Sequence, residues 1–253
     1  MRSRPISAVV VAACFATFAA NTSVKAADIN LMTTGAVEYI LRDLIPSFER
    51  ASGHKVNMTV FGTVIAVDKL KGGAAADLVL LNPQVLGDLT KAGKIVPGSI
   101  VPVFHSRAGV AVKAGAPKPD ISTPDGFRNA LLKAKSIGYS KGPSGIHLEG
   151  VMKRLGIFDQ VKPKLIQPAL GVRVGSMVAS GEAEIGVQQI NELLPIPGID
   201  FVGPLPGELQ TVLVYSLAVP ATAKERNAAA ALVKYLTSEA ALPVFKKLGL
   251  DPG

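Results

Sequence analysis

Cysteine, tryptophan and histidine are scarce in this 253-residue chain: one cysteine, no tryptophan and three histidines. The single cysteine, Cys14, excludes an internal disulfide framework and any cysteine-built zinc cluster. His54, His105 and His147 stand far apart, with no His-Glu-x-x-His run for a metal. Gly142-Pro143-Ser144-Gly145 is followed by Ile146, which breaks the Gly-x-Ser-x-Gly nucleophile elbow. Aromatic residues are 5% and there is no Lys/Arg block, which argues against nucleic acid. What is plentiful is apolar residue, 48%, against 18% charged, a globular balance able to bury a core.

The first 26 residues read as a signal peptide. Arg2 and Arg4 form a positive start, Ile6 to Ala20 a small apolar segment, and Val24-Lys25-Ala26 a cleavage site. The apolar run is shorter than the roughly 18 residues a spanning helix needs, and a lipoprotein reading through Cys14 would strand the apolar residues after it. Cleavage would remove Cys14 and lower the formal charge from +8 to +5 as Arg2, Arg4 and Lys25 leave. The mature chain, placed in the periplasm, keeps a mild positive field that attracts anions.

From Asp28 onward, short apolar strands alternate with amphipathic helices. Asp28 to Met32 reads as a strand, Thr33-Thr34-Gly35 as a turn, and Val37, Ile40, Leu41, Leu44, Ile45 and Phe48 as one helix face. Lys55 to Phe61 is a strand, Gly62-Thr63 its turn, and Leu78 to Leu81 a buried strand. This βαβαβα order predicts an α/β fold with mainly parallel sheets flanked by helices. Ile100 to Phe104 and Gly109 to Val112 read as two extended pieces broken by His105-Ser106-Arg107, a crossover into a second lobe. Thr211 to Val219 reads as the strand that returns. The expected division is lobe I from 27–104 plus 213–253 and lobe II from 105–212.

One stretch, Tyr139 to His147, reads as strand end, glycine turn and helix start, with Ser144 as N-cap. Bare helix N-termini attract small anions. Similar turns recur at Thr33-Thr34-Gly35, Gly62-Thr63 and Val172-Arg173. Facing one another across a cleft, their hydroxyls and backbone amides would converge on one solute.

Several runs carry a family resemblance: Asp28-Ile-Asn-Leu-Met-Thr-Thr-Gly-Ala-Val, Gly73-Ala-Ala-Ala-Asp77-Leu-Val-Leu, Pro143-Ser-Gly-Ile, Gly171-Val-Arg, Ala183-Glu-Ile-Gly-Val and the tail from Tyr235. The chain resembles the periplasmic solute-binding proteins of ABC importers, and within them the molybdate-binding type. That resemblance implies the type II fold of two α/β lobes, a monomer, a small anionic solute in the cleft, an ABC permease as partner, and no cofactor. Carried over by position, it implies ligand contacts at Thr63, Ser144, Val172 and the position of Gln189; the turn reading adds Thr33, Thr34, Gly35, Gly145 and Arg173 as candidate contacts, and no metal-cation ligands are expected. Ala36 stands where those proteins place a serine, and Gln189 where they place a tyrosine.

A tetrahedral oxyanion of molybdate or tungstate type is the first expected ligand. An organic di- or tricarboxylate is the alternative, since Arg173, Lys141 and His147 lie at the turns and Arg binds carboxylates bidentately. With no catalytic motif, the chain is expected not to be an enzyme. A ligand-sensing domain shares the fold, but the signal peptide argues against it.

Overall fold

The computed structural model describes residues 26–169 and 172–253. Residues 1–25, with Cys14 and almost all of the expected signal peptide, lie outside the described residues.

The first half of the chain runs β1 (Asp28–Thr34), α1 (Glu38–Ser52), β2 (Lys55–Phe61), α2 (Thr63–Lys71), β3 (Leu78–Leu81), α3 (Pro83–Lys91) and β4 (Val101–Lys113). It continues through α4 (Pro124–Lys133), β5 (Ile137–Tyr139), α5 (Pro143–Arg154), α6 (Phe158–Val161), β6 (Leu165–Ile166) and α7 (Val174–Ser180). The last part is β7 (Ile185–Gln189), α8 (Ile190–Leu193), β8 (Ile199–Pro204), β9 (Val212–Ala218), α9 (Arg226–Leu236), α10 (Leu242–Lys247) and β10 (Leu250–Pro252).

These form the two-lobed α/β architecture the sequence predicts. In the first lobe β1 pairs in parallel with β2 and β3. The apolar stripe of α1 (Ile40, Leu41, Leu44, Ile45, Phe48) is buried against it, as its helical spacing requires. Gly53, at φ 75°, closes that helix in the left-handed conformation. All four residues of β3 are buried, because β1 and β9 flank it and helices cover both faces. In the second lobe β5 pairs in parallel with β6 and β7, over a core that includes Phe127, Leu131, Leu148 and Val151.

The sheets are more mixed than expected. β3 pairs with β9 in antiparallel fashion, as β4 does with β7, β8, β9 and β10. β4 is also one continuous strand, not two pieces broken at His105-Ser106-Arg107. Its residues from Val101 to Arg107 pair with β9, and those from Ala108 onward pair with β7 and β8. Two of the polar trio find partners on neighbouring elements. Ser106 is fully buried and donates its hydroxyl to the side-chain oxygen of Asn191, while Arg107 reaches Asp251 at 3.3 Å. Asp251 belongs to β10, a three-residue strand hidden from pattern reading by its length and its proline.

Asp77 explains part of the Ala-Asp-Leu-Val run. Its carboxylate accepts backbone N–H groups from Asn30 (2.9 Å), Lys224 (2.9 Å) and Glu225 (3.0 Å), tying β1 to the start of α9. Burial alone would raise its pKa, yet these bonds hold it below the usual aspartate value.

Candidate functional site

The strand ends of the first lobe meet the turns of the second around a cavity of about 440 Å³. One wall is Gly35, Ala36 and Glu38 after β1, with Val60, Phe61 and Gly62 at the end of β2. The other is Val172 and Arg173 before α7, Gln188 on β7 and Glu192 on α8. The C-terminal ends of strands in open α/β sheets are where such folds take ligands. A larger cavity of about 510 Å³ lies between Lys118–Ser122 and Val202–Gly207. Its polar side chains are already engaged: Lys118 on the Phe201 carbonyl, Asp120 and Ser122 on each other.

Charge concentrates at Arg173. Its guanidinium lies 3.7 Å from Glu192 and 3.9 Å from Glu38, donates to the Gly35 carbonyl at 3.4 Å, and stacks over the Tyr39 ring at 4.3 Å. Three of these four partners come from the opposite wall. Asn191 adds a second tie, donating to the Ala36 carbonyl at 2.7 Å.

Glu192 is 9% exposed and receives the Gln188 side-chain amide at 2.7 Å. Burial raises its pKa to about 7, although Arg173 and the Gln188 hydrogen bond both pull it down. A carboxyl group titrating near neutrality in a cleft both accepts and returns a proton. Tyr215 is buried as well. Desolvation, and then the charge of Glu192, push its phenol up, so it stays protonated.

Of the residues expected from sequence, Gly35, Val172 and Arg173 line this cavity. Thr34 ends β1 immediately before Gly35, and Thr63 is the exposed first residue of α2 beside Gly62. Thr33 is fully buried within β1, not in a turn, and its hydroxyl is committed to the Leu80 carbonyl at 3.1 Å. Ser144 is not the N-cap of α5. Gly142 holds that position and Pro143 starts the helix, since proline's fixed φ suits a first helical residue. The Ser144 hydroxyl, 1% exposed, is 2.8 Å from that of Ser140. Gly145 is required by packing: a Cβ there would sit 1.7 Å from the Ser140 carbonyl oxygen. His147 packs its ring nitrogen on the Leu209 carbonyl at 2.8 Å, and Lys141 is exposed. Gln189 is buried at the end of β7, and its amide nitrogen has no partner among the described residues.

Three polar residues of the cavity were given no site role from sequence: Glu38, Gln188 and Glu192. Glu38 looks like an ordinary acidic residue in the first turn of a helix. Gln188 and Glu192 straddle a strand–helix junction, where no period links them. The one available signal was a glutamate inside the apolar run Ile190-Asn-Glu-Leu-Leu, because buried carboxylates are rare unless partnered.

Among known proteins, the chain is 34% identical over 232 residues to an aconitate isomerase of a Pseudomonas species, covering 88% of this chain and 87% of that one. It is 27% identical to a molybdate-binding protein of Azotobacter vinelandii, over 89% of this chain and 90% of that one. The solved structure of the periplasmic molybdate-binding protein from the same organism superposes with a TM-score of 0.71 at 19% identity, covering 88% of this chain and 98% of that one. The first similarity overturns the expectation that the chain is not an enzyme, since that relative carries an enzyme's name across nearly the whole length. No motif in the sequence pointed to it: the chain has no His-Glu-x-x-His run, no Cys-x-x-Cys and no Gly-x-Ser-x-Gly. Residues 29–251 match the model described as bacterial extracellular solute-binding protein, and the chain belongs to that family.

Proposed function

We propose that this protein is an exported enzyme that isomerises an unsaturated tricarboxylate of the aconitate type in its interlobe cleft, with Arg173 as the carboxylate anchor and Glu192 as the acid–base group. Lobe I (27–104 plus 213–253) and lobe II (105–212) would each supply one wall, and the periplasm is the proposed compartment.

The observation that carries the reading is the Arg173–Glu192 pair at 3.7 Å in the cavity, with Glu192 at a pKa of about 7. Aconitate has a methylene and a vinylic carbon on either side of its central carbon. Glu192 as carboxylate takes a proton from the methylene, and the double bond moves to that carbon. The protonated Glu192 then returns the proton to the former vinylic carbon. The same compound results, with cis or trans geometry chosen anew, and no atom or electron is gained or lost. Arg173 holds the carboxylate beside the methylene, where negative charge develops. The aconitate isomerase relative supports this substrate class.

A second reading, capture of a molybdate- or tungstate-like oxyanion for delivery to an ABC permease, draws support from the molybdate-binding relative. The cleft favours it less. The Thr33 hydroxyl is spent within the sheet, the Ser144 hydroxyl is buried against Ser140, and the one cation among the described residues of the cavity, Arg173, has the planar fork that matches a carboxylate.

The deciding experiment gives the purified chain cis-aconitate and trans-aconitate separately in D₂O and follows both by proton NMR. Interconversion is expected, with deuterium at the product methylene in those turnovers in which the Glu192 proton exchanges with solvent before it is returned. No interconversion, together with thermal stabilisation by molybdate or tungstate alone, would sink the isomerase reading and leave the importer reading.

A further inference from the structure

Resting on the isomerase reading, a further residue of the same site can be assigned from geometry. The side chain of Gln188 is held at both ends. Its oxygen accepts the backbone N–H of Val174 at 3.2 Å, and its nitrogen donates to Oε2 of Glu192 at 2.7 Å. The backbone N–H can only donate, so it fixes which way the amide faces. Arg173 approaches the same oxygen, Oε2, at 3.7 Å. Both contacts therefore fall on one oxygen of Glu192, and no hydrogen-bond partner among the described residues occupies Oε1.

We propose that Gln188 is a positioning residue that divides the work of the Glu192 carboxyl group, holding Oε2 as a fixed acceptor so that Oε1 is the atom that takes and returns the substrate proton. Gln188 touches no reacting atom in this scheme. It acts through Glu192, whose proton goes to and comes from the substrate carbon only at Oε1. The arrangement also links the proton-transfer group to the anchor. Val174, which orients Gln188, directly follows Arg173, so one short segment aligns both the carboxylate clamp and the acid–base oxygen. A generic packing role for Gln188 would call for a side chain of similar volume, whereas this role calls for a donor at one end and an acceptor at the other.

The test compares Gln188→Leu and Gln188→Glu with wild type. Gln188→Leu keeps the volume and loses the donor. Gln188→Glu keeps an acceptor for Val174 and sets a carboxylate against Glu192. Two readouts are taken: the pH profile of kcat and KM with cis-aconitate, and the Glu192 titration followed by NMR of carboxyl-labelled glutamate. A hydrogen bond to a charged group lost from Glu192 should raise its midpoint by about one pH unit in Gln188→Leu, and by more in Gln188→Glu. The rise of kcat with pH should shift by the same amount. kcat should fall about fivefold at neutral pH in Gln188→Leu while KM stays within about twofold, because Arg173 is untouched. Unchanged midpoints in both variants, or a loss confined to KM, would overturn the positioning role. If wild type turns over no aconitate, the isomerase reading falls and takes the proton-transfer assignment with it. The NMR titration then still decides whether Gln188 sets the ionisation of Glu192, which separates the two failures.

Discussion

The turn from β5 into α5 and the turn into α7 look alike in outline: small residues, exposed apolar neighbours and a helix start. Ser144 and Gly145 occupy the first, Val172 and Arg173 the second. In the first, the polar groups are spent away from the cavity, Ser144 on Ser140 within the turn and His147 on the distant Leu209 carbonyl. In the second, a guanidinium reaches across the cavity to Glu38, Gly35 and Tyr39 while facing Glu192 on its own side. A hydroxyl turn can close on itself, because Ser is both donor and acceptor. An arginine only donates, so it needs acceptors, and Arg173 finds them on the opposite wall. The charged turn is the one that draws partners from the opposite wall.

The sharpest break of this comparison is Glu192→Gln, which keeps the shape of the charged site and removes its proton chemistry. Loss of an acid–base group should lower kcat about 10²–10⁴-fold, with aconitate still bound, measured by isomerisation and by titration calorimetry. The same variant tests the pKa. Glu192 titrates near 7 in the fold, against an ordinary 4.5. Between those values the folded chain holds the extra proton, so wild-type stability should fall as pH rises from about 4.5 to about 7. Glu192→Gln should flatten that slope in denaturant melts. A slope unchanged by the substitution would show that Glu192 titrates normally.

On the other side of the comparison, Gly145→Ala should break the hydroxyl turn by sterics alone. Its Cβ would meet the backbone of Ser140, which has no rotamer by which to escape. The overpacking should cost about 3 kcal/mol, read as a drop in denaturation midpoint. Whatever chain remains folded should keep the aconitate KM, since the damage lies in the α5 turn and not at Arg173.

Arg173→Ala should raise KM for aconitate about 10–100-fold, the worth of a hydrogen-bonded charge contact, with the effect measured in steady-state kinetics. A KM within twofold of wild type would remove Arg173 as anchor and reopen the choice between the two turns.

The contrast also explains what was legible in sequence. The lobes were, because Leu78–Leu81 and the α1 stripe obey the periods of a buried strand and an amphipathic helix. The continuity of β4 was not, because the buried Ser106 is satisfied by Asn191, a residue 85 positions away. Arg173 was legible as a cation beside a helix start. Its partners were not: Glu38 lies 135 residues upstream by number and Glu192 on a different element, and no local pattern joins them. The raised pKa of Glu192 was not legible either, because it follows from burial, which depends on packing and not on residue type.

The smallest expected effect belongs to the residue with the plainest anion-binding chemistry. Ser144→Ala removes one hydroxyl that is 1% exposed and hydrogen-bonded to Ser140. The remaining Ser140 hydroxyl still donates to other acceptors or to water and still accepts the Gly142 N–H at 3.2 Å. The loss should therefore stay near 1 kcal/mol of stability, seen as a small shift in thermal midpoint, with kcat and KM for aconitate unchanged within about twofold. A tenfold rise in KM would mean that the α5 turn swings its hydroxyl into the cleft when ligand binds. The two turns would then share the anion, and the division drawn between them would fall.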